Sequence, residues 1–208
     1  MAINLSKELE KIIEANKREG IVPTLLLHCC CAPCSSSVLE YLTKHFRITV
    51  LFFNPNINIP EEYAHRYAEF RRLLTEMEFE NPVKIRECEY NPQVFYDVIK
   101  GLENEPEGGS RCRECFRLRL GETAKIAAEN GFDYFTTTLS ISPLKNSAVL
   151  FEIASERGEK YGATPLPSDF KKKDGYKRSL ELSRLHNLYR QNYCGCRRLV
   201  PQTTPTDD

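Results

Sequence analysis

Cysteine side chains mark the chemistry in this sequence, because eight of its nine cysteines fall in three short segments. The segments are HCCCAPC (28–34), CREC (112–115) and CGC (194–196). Thiolates bind zinc and iron, and one zinc ion or one cubane iron–sulfur cluster takes only four of them. The clustered residues are Cys29, Cys30, Cys31, Cys34, Cys112, Cys115, Cys194 and Cys196. This surplus predicts a site that holds more than a single structural metal ion.

Two simpler interpretations use only part of this set. The pairs 31/34 and 112/115 could form a structural zinc site, and CAPC resembles the thiol pair of thioredoxin-like proteins. Neither interpretation uses Cys29, Cys30 or the CGC segment. The ninth cysteine, Cys88, ends an apolar strand-like run and is predicted to be a small buried side chain.

Alternating strand-like and helix-like segments must position these thiols. Apolar runs at 24–28, 48–53, 83–88 and 133–139 predict strands. Helix-period segments at 5–20, 35–46, 61–77, 112–131 and 146–162 separate or flank them. This order predicts an α/β fold with a doubly wound, mostly parallel sheet and helices on both faces.

The cysteines follow the strands in a way that predicts their location. In open parallel sheets, ligands bind beyond the carboxyl ends of the strands, near the switch point in strand order. HCCCAPC follows the first predicted strand, NPNI follows the second, and SISPLKN follows the last. The sequence therefore predicts one pocket at this edge, with the cysteines at its mouth.

Composition restricts the class of protein. The chain has 29 basic and 29 acidic residues and 41% hydrophobic residues, which predicts a single domain over 1–208 that begins with a helix at 1–20. No segment predicts a signal peptide or membrane span, and an odd number of cysteines argues against a disulfide framework. A cytoplasmic protein with no membrane partner is expected.

The C-terminal part has a different charge balance. Residues 170–200 contain nine Lys or Arg and two acidic residues, a local excess of seven, interleaved with aromatic residues. We therefore predict a basic, cysteine-containing helical extension over 165–200, followed by a loose tail at 201–208. Such a surface is typical of proteins that bind phosphates and stack on unpaired bases, although a solvated helix face explains part of the pattern.

Together these segments resemble the QueH family of epoxyqueuosine reductases, in order, from about residue 22 to residue 199. The resemblance rests on LLLHCCCAPCSSSVLEYL, FFNPNINIPEEYAHR, EGGSRCRECFRLRL, DYFTTTLSISPLKN, DFKKKDGYKRSLELS and LYRQNYCGCRRL. It implies the reduction of an epoxide to an alkene on the modified wobble guanine of tRNA. It also implies a sheet of the adenine nucleotide α-hydrolase type, a [4Fe-4S] cluster and an additional iron ion.

The resemblance leads to expected roles for particular residues. Cluster or iron ligands are expected among Cys29, Cys30, Cys112, Cys115, Cys194 and Cys196, with their division left open. Asp169 is expected as a metal ligand or acid, and Tyr176 as a proton donor or stacking group, although Asp169 could equally cap a helix or pair with a lysine. The residues expected to hold tRNA phosphates are Lys171, Lys172, Lys173 and Arg178.

Partners follow from the same reasoning. Cysteines occupy the place of the phosphate loop of related ATP-using enzymes, so ATP is not expected as a substrate. No flavin motif is present, so electrons are expected from a ferredoxin-like protein or a small reductase. The alternative function is a non-redox RNA-binding protein with a structural zinc site.

Overall fold

Four short strands pair into one parallel sheet, and helices cover its two faces. The computed structural model describes residues 3–191 and 193–196. The strands are β1 (Thr24–His28), β2 (Arg47–Leu51), β3 (Lys84–Arg86) and β4 (Tyr134–Thr137). The helices are α1 (Leu5–Glu19), α2 (Ala32–Leu42), α3 (Pro60–Glu76), α4 (Gln93–Val98), α5 (Ser110–Glu129), α6 (Ser147–Tyr161) and α7 (Gly175–Leu185), with a 3₁₀ helix at Thr138–Ile141.

The order of the strands in the sheet is β3-β2-β1-β4, and every pair is parallel. The chain moves outward from β1 through β2 to β3, and then returns through α4 and α5 to place β4 on the other side of β1. The order therefore reverses between β1 and β4, whose carboxyl ends lead into the HCCCAPC segment and the 3₁₀ helix. The predicted doubly wound α/β fold is confirmed, and this reversal is where such folds bind ligands.

Side chains of β1 alternate between two cores because successive residues of a strand point to opposite faces. Leu25 and Leu27 pack in a core with apolar residues of α1, α2 and α3. Leu26 packs in a second core, against residues of α5 and α6. Both faces of the sheet are thus covered, as the continuous apolar composition of the strand predicts.

Helix α2 begins three residues earlier than the sequence predicts. The predicted helix starts at residue 35 with serines as caps, but the observed helix starts at Ala32 with Pro33 in its first turn. Proline is favoured there because its missing N–H would have no partner inside the helix. Ser35 lies within the helix instead, where its hydroxyl donates to the Cys31 carbonyl oxygen at 2.8 Å. As a result, Cys34 belongs to the first turn of α2.

The C-terminal extension is partly described. Helix α7 packs on α2, and a tight turn precedes it, where a side chain on Gly175 would overlap the carbonyl oxygen of Phe170. The predicted tail at 201–208 and the end of the basic segment, 197–200, lie outside the described residues. Each helix in the described ranges is too short or too polar to cross a membrane.

Candidate metal and RNA site

The alternation of β1 continues beyond its end and separates two neighbouring cysteines. Cys29 still donates its N–H to Leu51, at 2.8 Å, and its side chain is fully buried in the core with Leu27. Burial raises the pKa of the Cys29 thiol well above its usual value. Cys30 lies on the opposite face, beside the core formed with α5 and α6. Two adjacent cysteines therefore have different surroundings.

Three thiols meet where β1 passes into α2. The sulfur atoms of Cys30, Cys31 and Cys34 all lie within 4.8 Å of one another, and the Cys30 and Cys31 sulfurs are 3.9 Å apart. Hydrogen bonds from the Cys31 and Cys34 thiols hold the pKa of Cys30 well below its usual value. Together the three side chains can bind a metal ion.

Four further thiols line a small cavity of about 140 Å³. Cys112 and Cys115 come from the first two turns of α5, and Cys194 and Cys196 from the CGC segment. The Cys194 and Cys196 sulfurs are 3.5 Å apart, and a hydrogen bond from the Cys196 thiol lowers the pKa of Cys194 to about 5. Burial raises the pKa of Cys115 to about 11.

Gly195, between the last two cysteines, lies so close to Ile57 that a side chain would not fit. A Cβ at Gly195 would lie 2.8 Å from Cγ1 and 3.1 Å from Cα of Ile57, which follows β2. Such contacts are shorter than packed side chains tolerate, so the absent side chain lets the CGC segment lie against this loop. The segment is thereby held beside the carboxyl end of the sheet.

A larger cavity of about 610 Å³ adjoins the small one. The Cys30, Cys31 and Cys34 trio lines it, while Cys194 and Arg119 line both cavities. Cysteines from all three sequence segments therefore surround one continuous site. Its location is the edge of the sheet that the strand order predicts.

Arg119 lies at the boundary between the two cavities, because its side chain lines both of them. Its guanidinium donates to Asn54 Oδ1 at 2.5 Å and to His28 Nε2 at 3.3 Å, and Nη1 lies 3.9 Å from the Cys115 sulfur. Asn54 in turn donates to the Cys29 carbonyl oxygen at 2.8 Å. Arg119 is only 3% exposed and, within the described residues, forms no ion pair with a carboxylate.

A buried guanidinium without a carboxylate is costly unless another anion lies near it. The anions available to Arg119 are the Cys30 and Cys194 thiolates, whose pKa values its charge helps to lower. Lys145 lines both cavities as well and, in the part of the chain that the structure describes, has no ion pair. Burial lowers its pKa, but the negative charges of Cys194 and Cys30 outweigh burial and raise it overall. The site is therefore built to hold negative charge at the sulfur atoms.

His28 is a structural residue at this edge. Nδ1 lies 2.8 Å from Thr137 Oγ1 and Nε2 lies 3.1 Å from the Phe53 carbonyl oxygen. Complete burial, followed by the charge of Arg119, lowers the pKa of His28 to about 3. The ring is therefore neutral at physiological pH. Because Nε2 accepts from Arg119, Nδ1 carries the proton and donates to Thr137 Oγ1, which links the ends of β1 and β4.

The predicted non-cysteine site residues are divided between the cavity and the surface. Tyr176 lines the larger cavity. Asp169 accepts a hydrogen bond from Lys171 at 2.7 Å and lies outside the linings of both cavities as far as the described residues show. Tyr193 also lines the larger cavity, with Arg66 over its ring at 5.4 Å.

The cations predicted to bind phosphate are largely paired with acidic residues. Besides Lys171, Lys173 pairs with Glu10 of α1. Arg178 donates to both carboxylate oxygens of Glu40, at 2.9 and 2.6 Å. Lys172 is exposed.

Three cations of the larger cavity lie outside the basic segment at 170–200 and were missed by sequence reasoning, namely Arg66, Arg119 and Lys145. Arg119 carried a usable signal, because it follows Cys112 and Cys115 at seven and four residues and so lies on the same face of α5. Lys145 lies within SISPLKN, the segment that the sequence predicts at the pocket, although no role is assigned to it there. Arg66 lies in the middle of α3, and nothing in the local sequence distinguishes it from a charged residue on the exposed face of a helix.

Comparison with known proteins gives a consistent result. A family model described as epoxyqueuosine reductase QueH matches residues 25–198. A protein named epoxyqueuosine reductase QueH from Streptococcus pyogenes serotype M1 is 43% identical over 196 residues, covering 93% of this chain and 77% of the relative. The relative of that name from Staphylococcus epidermidis is 44% identical over 200 residues, covering 93% and 83%. The one from Thermotoga maritima is 34% identical over 179 residues, covering 83% and 88%.

Proposed function

The chain belongs to the QueH family and is an epoxyqueuosine reductase, and we propose that cysteines from its three segments hold the iron that this reaction uses. Its substrate is epoxyqueuosine carried by tRNA. The observation that carries the proposal is that Arg119, a buried cation with no carboxylate partner among the described residues, lines both of the cavities that the two thiol groups line.

The thiols fit an iron–sulfur cluster in number and type. A cubane cluster takes four thiolates, and Cys112, Cys115, Cys194 and Cys196 line one small cavity. We assign these four to a [4Fe-4S] cluster. The negative charge of a thiolate-bound cluster would compensate Arg119, which otherwise costs free energy on burial.

The Cys30, Cys31 and Cys34 trio is the proposed site of the additional iron ion. Three thiols within 4.8 Å of one another supply enough donors for a metal ion and leave a coordination position for another ligand. We leave Cys29 out of this proposed set because its side chain lies in the core on the other face of β1. We leave Asp169 out of the proposed set because it pairs with Lys171 and lies outside the linings of both cavities among the described residues.

Conversion of the epoxide to an alkene consumes two electrons and two protons and releases the oxygen as water. When bound, the iron centres supply the electrons one at a time and a Lewis acid for the oxygen. The chain supplies protons and orientation: the Lys145 ammonium and the Tyr176 hydroxyl both line the larger cavity. We assign the Tyr176 hydroxyl as a proton donor to the leaving oxygen, and the Lys145 ammonium as a group that orients the substrate by binding a phosphate.

The larger cavity also has the charge that an RNA substrate requires. Among the described residues, Arg66, Arg119, Lys145 and Arg190 line it, and Glu107 is the one acidic residue of the lining. Arg66 also pairs with Glu62, which lies outside the lining. Tyr176 and Tyr193 provide aromatic surfaces on which a base can stack. We therefore propose that phosphates near the modified nucleoside contact Arg190 and Lys145, with the 171–173 run and Arg178 contributing at the periphery. Electrons come from an external ferredoxin-like protein or small reductase.

The direct test is turnover with defined components. Protein reconstituted anaerobically with iron and sulfide is incubated with dithionite and tRNA that carries epoxyqueuosine. We expect mass spectrometry of the digested nucleosides to show conversion to queuosine, with loss of one oxygen atom. Protein that binds iron fully and still converts no substrate would contradict the proposal, and omission of dithionite is the control.

A further inference from the structure

Leu144 is a highly exposed apolar residue that lines both cavities of the site. It is 79% exposed, the highest value among the large apolar side chains of the described residues. It nevertheless lines both the larger and the smaller cavity. An apolar side chain therefore stands in solvent at the mouth that the two cavities share.

The loop that carries Leu144 is held in place from both ends. The N–H of Leu144 donates to Ser142 Oγ at 3.3 Å, and the N–H of Lys145 donates to the Ser142 carbonyl oxygen at 3.2 Å. Pro143 restricts the backbone between them. Asn146 then caps α6 by accepting from Ala148 N at 2.9 Å. The position of Leu144 is thus set before any ligand binds.

The reaction requires the modified nucleoside to enter the cavity. Cys31 is 3% exposed, and the trio lies inside a cavity of about 610 Å³, a size typical of pockets for nucleoside-sized ligands. We take the base to leave the stack of the anticodon loop when its modified group enters this cavity. Enzymes that act on a base therefore extrude it, and the unstacking costs free energy.

Resting on the proposed function, we propose that Leu144 is a wedge that takes the place of the extruded wobble base in the anticodon stack. Apolar side chains inserted between bases are a known way to offset the loss of stacking. Lys145, the next residue, is charged and lines the same mouth, so it lies where a flanking phosphate would pass. Leu144 is accordingly a positioning residue for structured tRNA.

The wedge is tested by comparing two substrates that carry the same nucleoside. For Leu144→Ala we expect the KM for an anticodon stem-loop with epoxyqueuosine to rise about tenfold. For a single-stranded pentanucleotide we expect kcat/KM to change by less than about twofold, because its base is not held in a loop stack. Equal losses on both substrates, or no loss on the stem-loop, would overturn the proposal.

Matched controls separate the wedge from other effects. Leu185 is 73% exposed on α7 and lies outside the linings of both cavities, so Leu185→Ala should behave as the wild type on both substrates. Leu144→Phe keeps a large apolar surface and should retain a wild-type KM. The iron content of all three variants should equal that of the wild type.

A binding measurement tests the wedge without turnover. A stem-loop with 2-aminopurine next to an unmodified wobble guanosine should become more fluorescent on binding the wild-type protein, because the neighbouring base loses its stacking partner. Leu144→Ala should remove at least about half of this increase at saturation. An unchanged increase would refute the wedge, whereas absent turnover with a normal increase would instead refute the proposed function.

Discussion

Cys30→Ala is expected to lower kcat for epoxyqueuosine reduction by more than about 100-fold, above the loss caused by changing a residue that only supports a metal ligand. Its sulfur lies within 4.8 Å of the sulfur atoms of Cys31 and Cys34. The Cys30 side chain is on the face of β1 that adjoins α5. We also expect this variant to bind less iron per chain. Nucleoside mass spectrometry and iron analysis measure the two effects.

The neighbouring residue provides the control. Cys29→Ala should retain activity within about threefold and a full complement of iron, since its side chain lies in the opposite core. It should lower the free energy of unfolding by about 1 kcal/mol, measured by urea denaturation, because a buried sulfur is removed. Equal loss of iron in both variants would contradict the assignment of the two cysteines to different faces.

Arg119→Leu is expected to lower kcat about 10- to 100-fold and to weaken iron retention. The substitution removes the cation between the two groups of thiols and leaves Asn54 Oδ1 without its donor. It should also lower the midpoint reduction potential of the cluster, because a nearby positive charge stabilises the reduced form, which carries one more electron. A redox titration followed by electron paramagnetic resonance measures the potential.

Two variants separate the charge of Arg119 from its geometry. Arg119→Lys keeps the charge but cannot contact Asn54, His28 and Cys115 together, so its potential should stay near that of the wild type while kcat falls. Arg117→Leu changes an arginine on the same helix that pairs with Glu114 at 2.5 Å, and should leave the potential and the iron content unchanged. A wild-type potential in Arg119→Leu would show that the buried cation does not act on the cluster.

The sheet could be predicted because its signals are local. Strands β1, β2 and β4 are apolar runs rich in leucine, β-branched or aromatic residues, and capping residues mark several helices, such as Asn4 and Gly20 around α1. The different positions of Cys29 and Cys30 were also available from the sequence, since the period of two in Leu25, Leu27 and Cys29 continues past the end of the strand. The sequence analysis grouped Cys29 and Cys30 as neighbours and did not consider that alternate residues of a strand point to opposite faces.

Other parts of the site depend on contacts between distant segments. The pairing of Lys173 with Glu10, and of Arg178 with Glu40, requires α7 and the turn before it to lie against α1 and α2. A local count of charges includes these lysines and arginines but not their partners elsewhere in the chain. The role of Gly195 likewise depends on Ile57, which approaches it only in the folded protein.

The central claim is that thiols from three distant segments hold iron around one buried cation. Metal analysis and electron paramagnetic resonance of anaerobically purified protein test it most directly. We predict more than about four iron atoms per chain and a cluster signal that appears on reduction with dithionite. A colourless protein with one zinc ion per chain and no such signal would contradict the claim and favour a structural zinc site.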